Sequence, residues 1–147
     1  MQNQLEFAQK AFIVHDNTVL MVRKSMDDPH NPGKWEVPGG RLQWDEPLVE
    51  HLPREVYEEV GINIEPREIF YLWDWYLKPK SEGDINRRIV AVARICVPSS
   101  FDVSMENQVD DDFISNWKWI PFHDLRGIEI IPNMSPVVSA FLNRVQA

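Results

Sequence analysis

Short runs of β-branched, aliphatic and aromatic residues recur along the chain between polar stretches rich in turn-forming residues, and this pattern predicts β-strands. The predicted strands cover residues 11–14, 19–23, 68–77, 88–97 and 116–122. Asp16 and Asn17 lie between the first two strands, where they suit a tight turn. The polar segment 78–87 links the next pair of strands. The pattern therefore predicts two hairpins and one separate short strand.

Side chains alternate between the two faces of a strand, so the strand over 68–77 should present two different surfaces. One predicted face carries Tyr71, Trp73 and Trp75, and the other carries Phe70, Leu72, Asp74 and Tyr76. Aromatic residues on a strand most often belong to a core. The face with the two tryptophans also fits a subunit interface in a homodimer or a surface on which a nucleobase stacks.

Two stretches have apolar residues at spacings of three and four, which is the period of an amphipathic helix. The first stretch runs from Pro47 to Val60, and Gly61 should end the helix. Its apolar stripe comprises Val49, Leu52, Val56 and Val60. Pro53 lies inside this stretch and costs about 3 kcal/mol in a helix interior. The helix should therefore either kink at Pro53 or begin its regular part later.

The second helix is predicted at the C-terminal end, with Ser135 as its N-cap and Pro136 at its first position. Its apolar stripe comprises Val137, Val138, Phe141, Leu142 and Val145. Neither an internal repeat nor a linker separates the predicted elements. Strands and helices should therefore share one core in a single domain that covers residues 1–147.

Composition limits the class of protein. The chain has 147 residues, of which 44% are hydrophobic and 26% are charged, as in an ordinary globular domain. A net charge of -8 disfavours nucleic-acid polymers and anionic membranes as partners. No apolar run reaches the length of a membrane span, and the start of the chain lacks the pattern of a leader peptide. The single cysteine, Cys96, excludes an internal disulfide and suggests a reducing compartment, so we expect a cytoplasmic protein.

Three glutamates on the first predicted helix, Glu55, Glu58 and Glu59, form a group that we call the helix carboxylates. Successive residues turn by about 100° around a helix, so these three lie within a sector of about 100° beside the apolar stripe. Like charges at this spacing destabilise a helix by a few tenths of a kcal/mol per pair. Such a cluster is either an ordinary solvated surface or a site that binds a cation.

The helix carboxylates belong to a longer pattern of fixed spacing. Gly40 is followed by Glu46, then by the pair Arg54-Glu55, and the pattern ends at Ile62. This arrangement resembles the signature of the Nudix hydrolases, Gly-x5-Glu-x7-Arg-Glu-U-x-Glu-Glu-x-Gly-U with U aliphatic, and every specified position is matched. The resemblance implies an α/β architecture, the Nudix fold, in which a mixed β-sheet is sandwiched between helices (α/β/α).

The resemblance also implies roles for individual residues. The helix carboxylates would ligate metal ions, and the backbone of Gly40 would lie against the metal. Arg54 would pair with Glu46 and hold the preceding loop against the helix. One of the helix carboxylates, or an acid in a nearby loop, would take the proton from the attacking water. Asp112 is the loop candidate, and the alternative for the acidic run 110–112 is a solvated turn.

Inorganic chemistry points to the same kind of site. Clustered carboxylate oxygens are the ligands that Mg²⁺ or Mn²⁺ prefers. Magnesium usually shares its coordination shell with substrate phosphates, which indicates a small-molecule phosphate compound as the partner. The reaction implied by the resemblance is attack of water on phosphorus in a diphosphate bond, with the cations neutralising the charge on the phosphate oxygens.

Four further residues are candidates for substrate binding: Arg23, Trp44, Trp75 and Arg88. The two arginines lie at strand ends and either contact phosphates or are ordinary edge charges. Trp44 lies in a polar loop and either lines the mouth of a pocket or packs against the sheet. The histidines lack metal-ligand spacing and lie beside turn or helix-surface residues, so no role is assigned to them: His15, His30, His51 and His123.

Three functions are compared. The favoured one is a Mg²⁺-dependent Nudix pyrophosphohydrolase that cleaves a diphosphate bond in a nucleoside diphosphate linked to another moiety, such as a nucleotide or nucleotide sugar. The second is a non-catalytic Nudix-fold module that binds nucleotides or regulates a partner, although such modules tend to lose the signature carboxylates. The third is isopentenyl-diphosphate isomerase, which needs a cysteine for proton transfer to carbon, whereas Cys96 lies in an apolar strand and should be buried.

Overall fold

A hairpin opens the fold in the computed structural model, which describes residues 2–79, 81–109 and 112–146. Its strands are β1 (Asn3–His15) and β2 (Thr18–Lys24). Asp16 and Asn17 form the turn with positive φ angles of 48° and 59°, as a type I′ turn requires. The first predicted hairpin is confirmed, although β1 begins at Asn3 and not at residue 11.

The remaining strands and helices follow in an order that agrees with the predicted one, with two very short strands added. They are β3 (Trp35–Glu36), β4 (Gly39–Arg41), α1 (Leu48–Val60), β5 (Ile64–Leu77), β6 (Asn86–Pro98), β7 (Ile114–Pro121) and α2 (Ser135–Gln146). Two short 3₁₀ turns precede α2.

All seven strands belong to one mixed sheet built around β1. β1 runs parallel to β6, and β6 pairs antiparallel with β5, which confirms the second predicted hairpin. On its other side β1 pairs with β2, which in turn pairs with β3 and β7. The short strand β4 pairs with the middle of β1, where Gly40 lies opposite Gln9. This pairing brings the backbone of Gly40 next to α1.

The two helices cover opposite faces of the sheet, which confirms the predicted α/β/α arrangement. Alternation along β1 directs Ala11 and Ile13 to the α1 side and Phe12 to the α2 side. The main apolar contacts of α1 come from Leu52, Val56 and Val60, and those of α2 from Val137, Val138, Phe141 and Leu142. No helix in the described part of the chain is long and apolar enough to cross a membrane.

Helix α1 starts at Leu48, directly after Pro47, and continues through Pro53 without interruption. The expectation that its regular part begins after Pro53 is therefore wrong. Gly61 ends the helix in the left-handed conformation, with φ of 71°, and its N–H donates to the carbonyl of Tyr57 at 2.9 Å. Residues on both sides of Pro53 therefore belong to one helix, and the alternative of a kink at Pro53 stays a prediction.

Two local predictions are wrong. The β5–β6 register shifts between Ile69 and Tyr71, so Phe70 packs with Tyr71 on the α2 core, and its ring centroid lies 5.0 Å from that of Phe12. The predicted placement of Phe70 on the opposite face fails because a bulge breaks strict alternation. Ser135 has helical backbone angles and is the first residue of α2 after a 3₁₀ turn. It therefore does not act as an N-cap.

Candidate active site

Helix α1 places the helix carboxylates next to β4. Glu59 is 2% exposed and Glu55 is 9% exposed, whereas Glu58 is more accessible. The Gly39 N–H donates to Glu59 Oε2 at 2.8 Å, which ties the helix to the strand. The three carboxylates therefore form the edge of the buried face of α1, as the helical spacing predicts.

Gly40 is in direct contact with one of these carboxylates. A Cβ atom added to Gly40 would lie 2.6–2.7 Å from the carboxylate atoms of Glu55. Any larger residue would push Glu55 away from the strand. Glycine at position 40 thus allows backbone and carboxylate oxygens to approach a common point.

Arg54 bridges the loop and the helix. Its Nε and Nη2 atoms donate to the carboxylate of Glu46, the contact that the family resemblance implies. Nη2 also donates to Glu55 Oε1, and Nη1 donates to Glu58 Oε2, each at 3.0 Å. The Arg54 hydrogen bond lowers the pKa of Glu46, and these acidic neighbours raise the pKa of Arg54. Arg54 therefore fixes the loop and compensates negative charge on the helix.

Burial makes two of the helix carboxylates hard to ionise. Burial raises the pKa of Glu55, although Arg54 opposes this effect. It raises the pKa of Glu59 well above its usual value, although Lys10 and Lys24 oppose the shift. A carboxylate held in such surroundings gains from any additional positive charge that approaches it.

A buried charge cluster behind Glu59 was not predicted from the sequence. Glu36 accepts a hydrogen bond from Lys10 Nζ at 2.6 Å through one oxygen and lies 3.1 Å from Lys24 Nζ through the other. Burial alone would raise the pKa of Glu36, but the two lysines outweigh it and lower the pKa to about 2. The sequence signal was a charged residue next to apolar residues in each of the three strands β1, β2 and β3.

We expect Glu36→Gln to lower the melting temperature by roughly 10 °C or more, because removing one partner of a buried ion pair costs about 3–5 kcal/mol. The control is Glu65→Gln, which breaks an exposed pair with Arg67 and should change stability by less than about 1 kcal/mol. Thermal denaturation of both variants measures the difference. Equal melting temperatures for the two variants would contradict the assigned role of Glu36.

The same cluster predicts a loss of stability in acid. The pKa of Glu36 in the folded protein, about 2, lies below its ordinary value of 4.5. Its ionised form therefore stabilises the fold fully above pH 4.5, and this contribution is lost as the pH falls toward 2. Glu36→Gln should flatten the pH dependence of the unfolding free energy in that window.

An open cavity of about 370 Å³ lies beside these groups. Its lining combines the helix carboxylates and their neighbour Arg54 on α1 with residues from other segments, among them Lys10, Lys24, Gly39, Gly40, Trp75, Leu77 and Asp112. A smaller adjoining cavity of about 140 Å³ shares both lysines, Trp75 and Leu77 and adds His30, Asn31 and Asn133. Of the predicted substrate-binding residues, Trp75 is therefore at the site.

Three predicted substrate-binding residues lie elsewhere. Arg23 donates to the carbonyl of Gly33 and lies over the ring of Trp35. Trp44 is fully exposed and does not line the cavity. Arg88 pairs with Asp74 and faces away from the cavity, because its neighbour Ile89 lines it and successive strand residues point to opposite faces.

A larger cavity of about 540 Å³ lies on that opposite face, around Arg88 and Tyr76. It contains none of the helix carboxylates. Volume alone is a weaker criterion for a reactive site than convergent charged groups with shifted pKa values. We therefore assign the candidate active site to the cavity of about 370 Å³ beside α1.

Asp112, the predicted loop base, lines the candidate active site. Its Oδ2 accepts a hydrogen bond from the Val109 N–H at 2.9 Å, and its backbone carbonyl accepts one from Lys24 Nζ at 2.8 Å. Phe113, the next residue, has a positive φ of 53°. Asp110 and Asp111, the other members of the acidic run, lie outside the described residues. The loop thus holds Asp112 at the edge of the cavity.

The comparison with protein families decides where this chain belongs. The family model described as the NUDIX domain matches residues 8–141. The chain belongs to the Nudix family. Its signature segment is the one that builds β4, the following loop and α1 of the candidate active site.

Solved structures share the fold of this Nudix chain. The MutT protein from Methanosarcina mazei Go1 has a TM-score of 0.75 at 23% identity and covers 99% of this chain and 98% of its own. The E. coli ORF135 protein has a TM-score of 0.74 at 19% identity, covering 98% and 92%. At these identities the likeness establishes the fold and not the substrate.

A closer relative in sequence matches only in part. Phosphatase NudJ of Escherichia coli (strain K12) is 32% identical over 72 residues, which are 48% of this chain and 45% of NudJ. The matched region thus spans about half the length of NudJ. Family membership therefore rests on the NUDIX domain match and not on a whole-length relative.

The side chains of this Nudix site suit a divalent cation in chemistry but are engaged in other contacts. Among the described residues, no three acidic, histidine or cysteine side chains converge as a ready-made metal site. Arg54 donates hydrogen bonds to oxygens of Glu55 and Glu58, and the Gly39 N–H donates to one oxygen of Glu59. The carboxylate oxygens are ligands that suit Mg²⁺ or Mn²⁺. The space between Gly40 and Glu55 would be filled by any side chain at position 40.

His51 corrects an expectation from the sequence. It was predicted beside helix-surface residues, but it is fully buried between α1 and β1, where its Nδ1 lies 2.9 Å from Gln9 Nε2. His30 lines the smaller cavity, whereas His15 and His123 pair with neighbouring aspartates. The sequence carried no clear signal for this burial, because position 51 lies on the side of Glu55 and not on the apolar stripe of α1.

Proposed function

We propose that this Nudix protein hydrolyses a phosphoric anhydride bond in a small-molecule diphosphate compound with the help of Mg²⁺ or Mn²⁺. The observation that carries the proposal is one cavity in which the helix carboxylates face Lys10 and Lys24. Carboxylates suit the cation, and ammonium groups suit phosphate oxygens. An acidic protein thereby attracts an anionic substrate at one place.

The helix carboxylates and the Gly40 carbonyl would hold the cation. When bound, the cation neutralises charge on the phosphate oxygens. Arg54 keeps Glu46 as its partner through two hydrogen bonds, so Glu55 and Glu58 can turn toward the cation without releasing the loop. Buried Glu59, held by Gly39, needs the smallest rearrangement.

The chain's other residues bind the substrate and move the proton. Lys24 and Lys10 orient the phosphates. Trp75 and Leu77 line both the candidate active site and the adjoining cavity of about 140 Å³, which suits an organic moiety. Asp112 accepts the proton from the attacking water, with a helix carboxylate as the alternative base. The diphosphate bond breaks at phosphorus, and no covalent intermediate with the protein forms.

The favoured substrate class is a nucleoside diphosphate linked to another moiety. Two joined cavities match a substrate with a diphosphate and an attached group. Among structures with this fold is an ADP-ribose pyrophosphatase from Streptococcus suis, with a TM-score of 0.65 at 15% identity over 97% of this chain and 92% of its own. The activity in the name of that protein belongs to the proposed class.

The isomerase and binding-module alternatives are less well supported. Cys96 is buried in the α1 core, burial raises the pKa of its thiol to about 12, and it does not line the candidate active site. Proton transfer to carbon through this thiol is therefore disfavoured. A binding module would not require all three helix carboxylates, which the chain retains. A cytoplasmic location and a homodimer stay predictions.

A screen of nucleotides, nucleotide sugars and other diphosphate compounds with Mg²⁺ or Mn²⁺, with products identified by mass, tests the proposed function. Hydrolysis in ¹⁸O-labelled water should place the label on a phosphate product and leave every carbon–oxygen bond intact. Label on a sugar or another carbon would exclude attack at phosphorus. Tight binding of nucleotides without any product would instead support the binding-module alternative.

Divalent cations should raise the melting temperature, because a ligand that binds only the folded state stabilises it by about 2.7 kcal/mol at 100 times its dissociation constant. We expect a rise of several degrees in millimolar Mn²⁺ and its reversal by a chelator. The control is a variant with Glu55, Glu58 and Glu59 all changed to Gln. An equal cation effect on this variant would place binding elsewhere.

A further inference from the structure

His51 lies at the centre of a buried polar chain that neither the signature nor the proposed reaction accounts for. Arg94 Nη1 donates to Gln9 Oε1 at 3.4 Å, and Gln9 Nε2 lies 2.9 Å from His51 Nδ1. His51 is completely buried and precedes Glu55 by one helical turn. The polar chain therefore runs from Arg94 on β6 to a position on α1 that lies one turn before Glu55.

The hydrogen-bond partners of Gln9 favour one tautomer of His51. Because the oxygen of the Gln9 amide accepts from Arg94, its NH₂ group donates to Nδ1. Nδ1 is therefore unprotonated, and the proton of the neutral ring is on Nε2. Burial lowers the pKa of His51, which favours this neutral form.

The Nε2 donor has no hydrogen-bond partner among the described residues, although it is buried. Backbone carbonyls of Gly40 and Arg41 in β4 raise the pKa of the His51 ring and are its candidate acceptors. An unpaired buried donor destabilises the folded protein, because it has lost its hydrogen bonds to water without replacement. Pairing of Nε2–H with one of these carbonyls would remove that cost.

We propose that His51 is a positioning residue whose Nε2–H holds the Gly40–Arg41 backbone against α1 and so sets the distance between Gly40 and Glu55. This inference rests on the proposed function, in which both residues contribute oxygens to the cation. Gln9 supports it twice, because its side chain orients the ring while its backbone pairs with Gly40 in the sheet. Groups of this kind that orient ligands typically change metal affinity about 10- to 100-fold when removed.

Two amide variants distinguish the role of Nε2 from the role of Nδ1. Glutamine places an N–H near the position of Nε2, whereas asparagine places its polar group near Nδ1 and leaves β4 without a donor. We expect His51→Gln to keep Mn²⁺ affinity within about threefold of the unmodified protein and His51→Asn to weaken it about tenfold or more. Mn²⁺ binding is measured by electron paramagnetic resonance without substrate, and His123→Asn, on the surface, is the control.

The outcomes distinguish positioning from general structural support. Equal Mn²⁺ affinity in both His51 variants, whether weakened or unchanged, overturns the inference. So does a ¹⁵N spectrum of the unmodified protein that shows the proton of the His51 ring on Nδ1. If the unmodified protein binds Mn²⁺ and hydrolyses a diphosphate, and His51→Asn binds Mn²⁺ equally well, only this inference is refuted. Unmodified protein that neither binds Mn²⁺ nor hydrolyses any diphosphate refutes the proposed function and this inference together.

Discussion

Replacing Glu59 with glutamine should lower turnover by at least about two orders of magnitude while the protein stays folded, since cation-borne charge stabilisation is usually a large part of catalysis. Glu59 is the most buried of the helix carboxylates and its carboxylate is tied to Gly39 N–H. Glutamine keeps an oxygen that can accept this hydrogen bond and has nearly the same volume. It removes only the negative charge that faces Lys10, Lys24 and the proposed cation.

A variant on the same helix provides the control for this experiment. Glu50 is exposed in the first turn of α1, so Glu50→Gln removes a charge from the helix without touching the cavity. Turnover and melting temperature are measured for both variants at saturating Mg²⁺. If Glu59→Gln keeps full activity and an unchanged melting temperature, the helix carboxylates are a charged helix face and not a cation site.

Local chemistry explains which parts of the fold could be predicted. The Asp16–Asn17 turn and the Gly61 helix end each depend on a few consecutive residues, and both occur where the sequence places them. The bulge that turns Phe70 inward depends on how β5 pairs with β6. No local pattern encodes that pairing. The same holds for the first part of β1, which is mostly polar and is held in the sheet by its partner β6.

The residues of the candidate active site also fall into a part that the sequence predicts and a part that it does not. Gly40, Glu46 and Arg54 lie within one signature segment, and the structure brings them together with the helix carboxylates. The buried ion cluster and the His51 chain each join residues more than twenty positions apart. Their partners become visible only when the strands are aligned. Trp75 reaches the cavity and Arg88 does not because they lie on opposite faces of neighbouring strands.

Replacing Asp112 with asparagine should reduce the rate by about two to four orders of magnitude if Asp112 is the general base. Asparagine retains an oxygen that can accept from the Val109 N–H, and the bond from Lys24 Nζ goes to the backbone, which the substitution leaves in place. The loop should therefore keep its conformation. What asparagine cannot do is accept a proton from water at neutral pH.

Asp102→Asn is the matched control, because Asp102 is an exposed acid in the same connection between β6 and β7 and does not line the cavity. Single-turnover rates and Mn²⁺ affinities are measured for both variants. Asp112→Asn should lose rate and keep cation binding, since the base acts on water and contributes no ligand in the proposed site. Loss of rate together with cation affinity would make Asp112 a ligand. Full activity would assign proton removal to a helix carboxylate, with Glu58 favoured because it is the most accessible of the three.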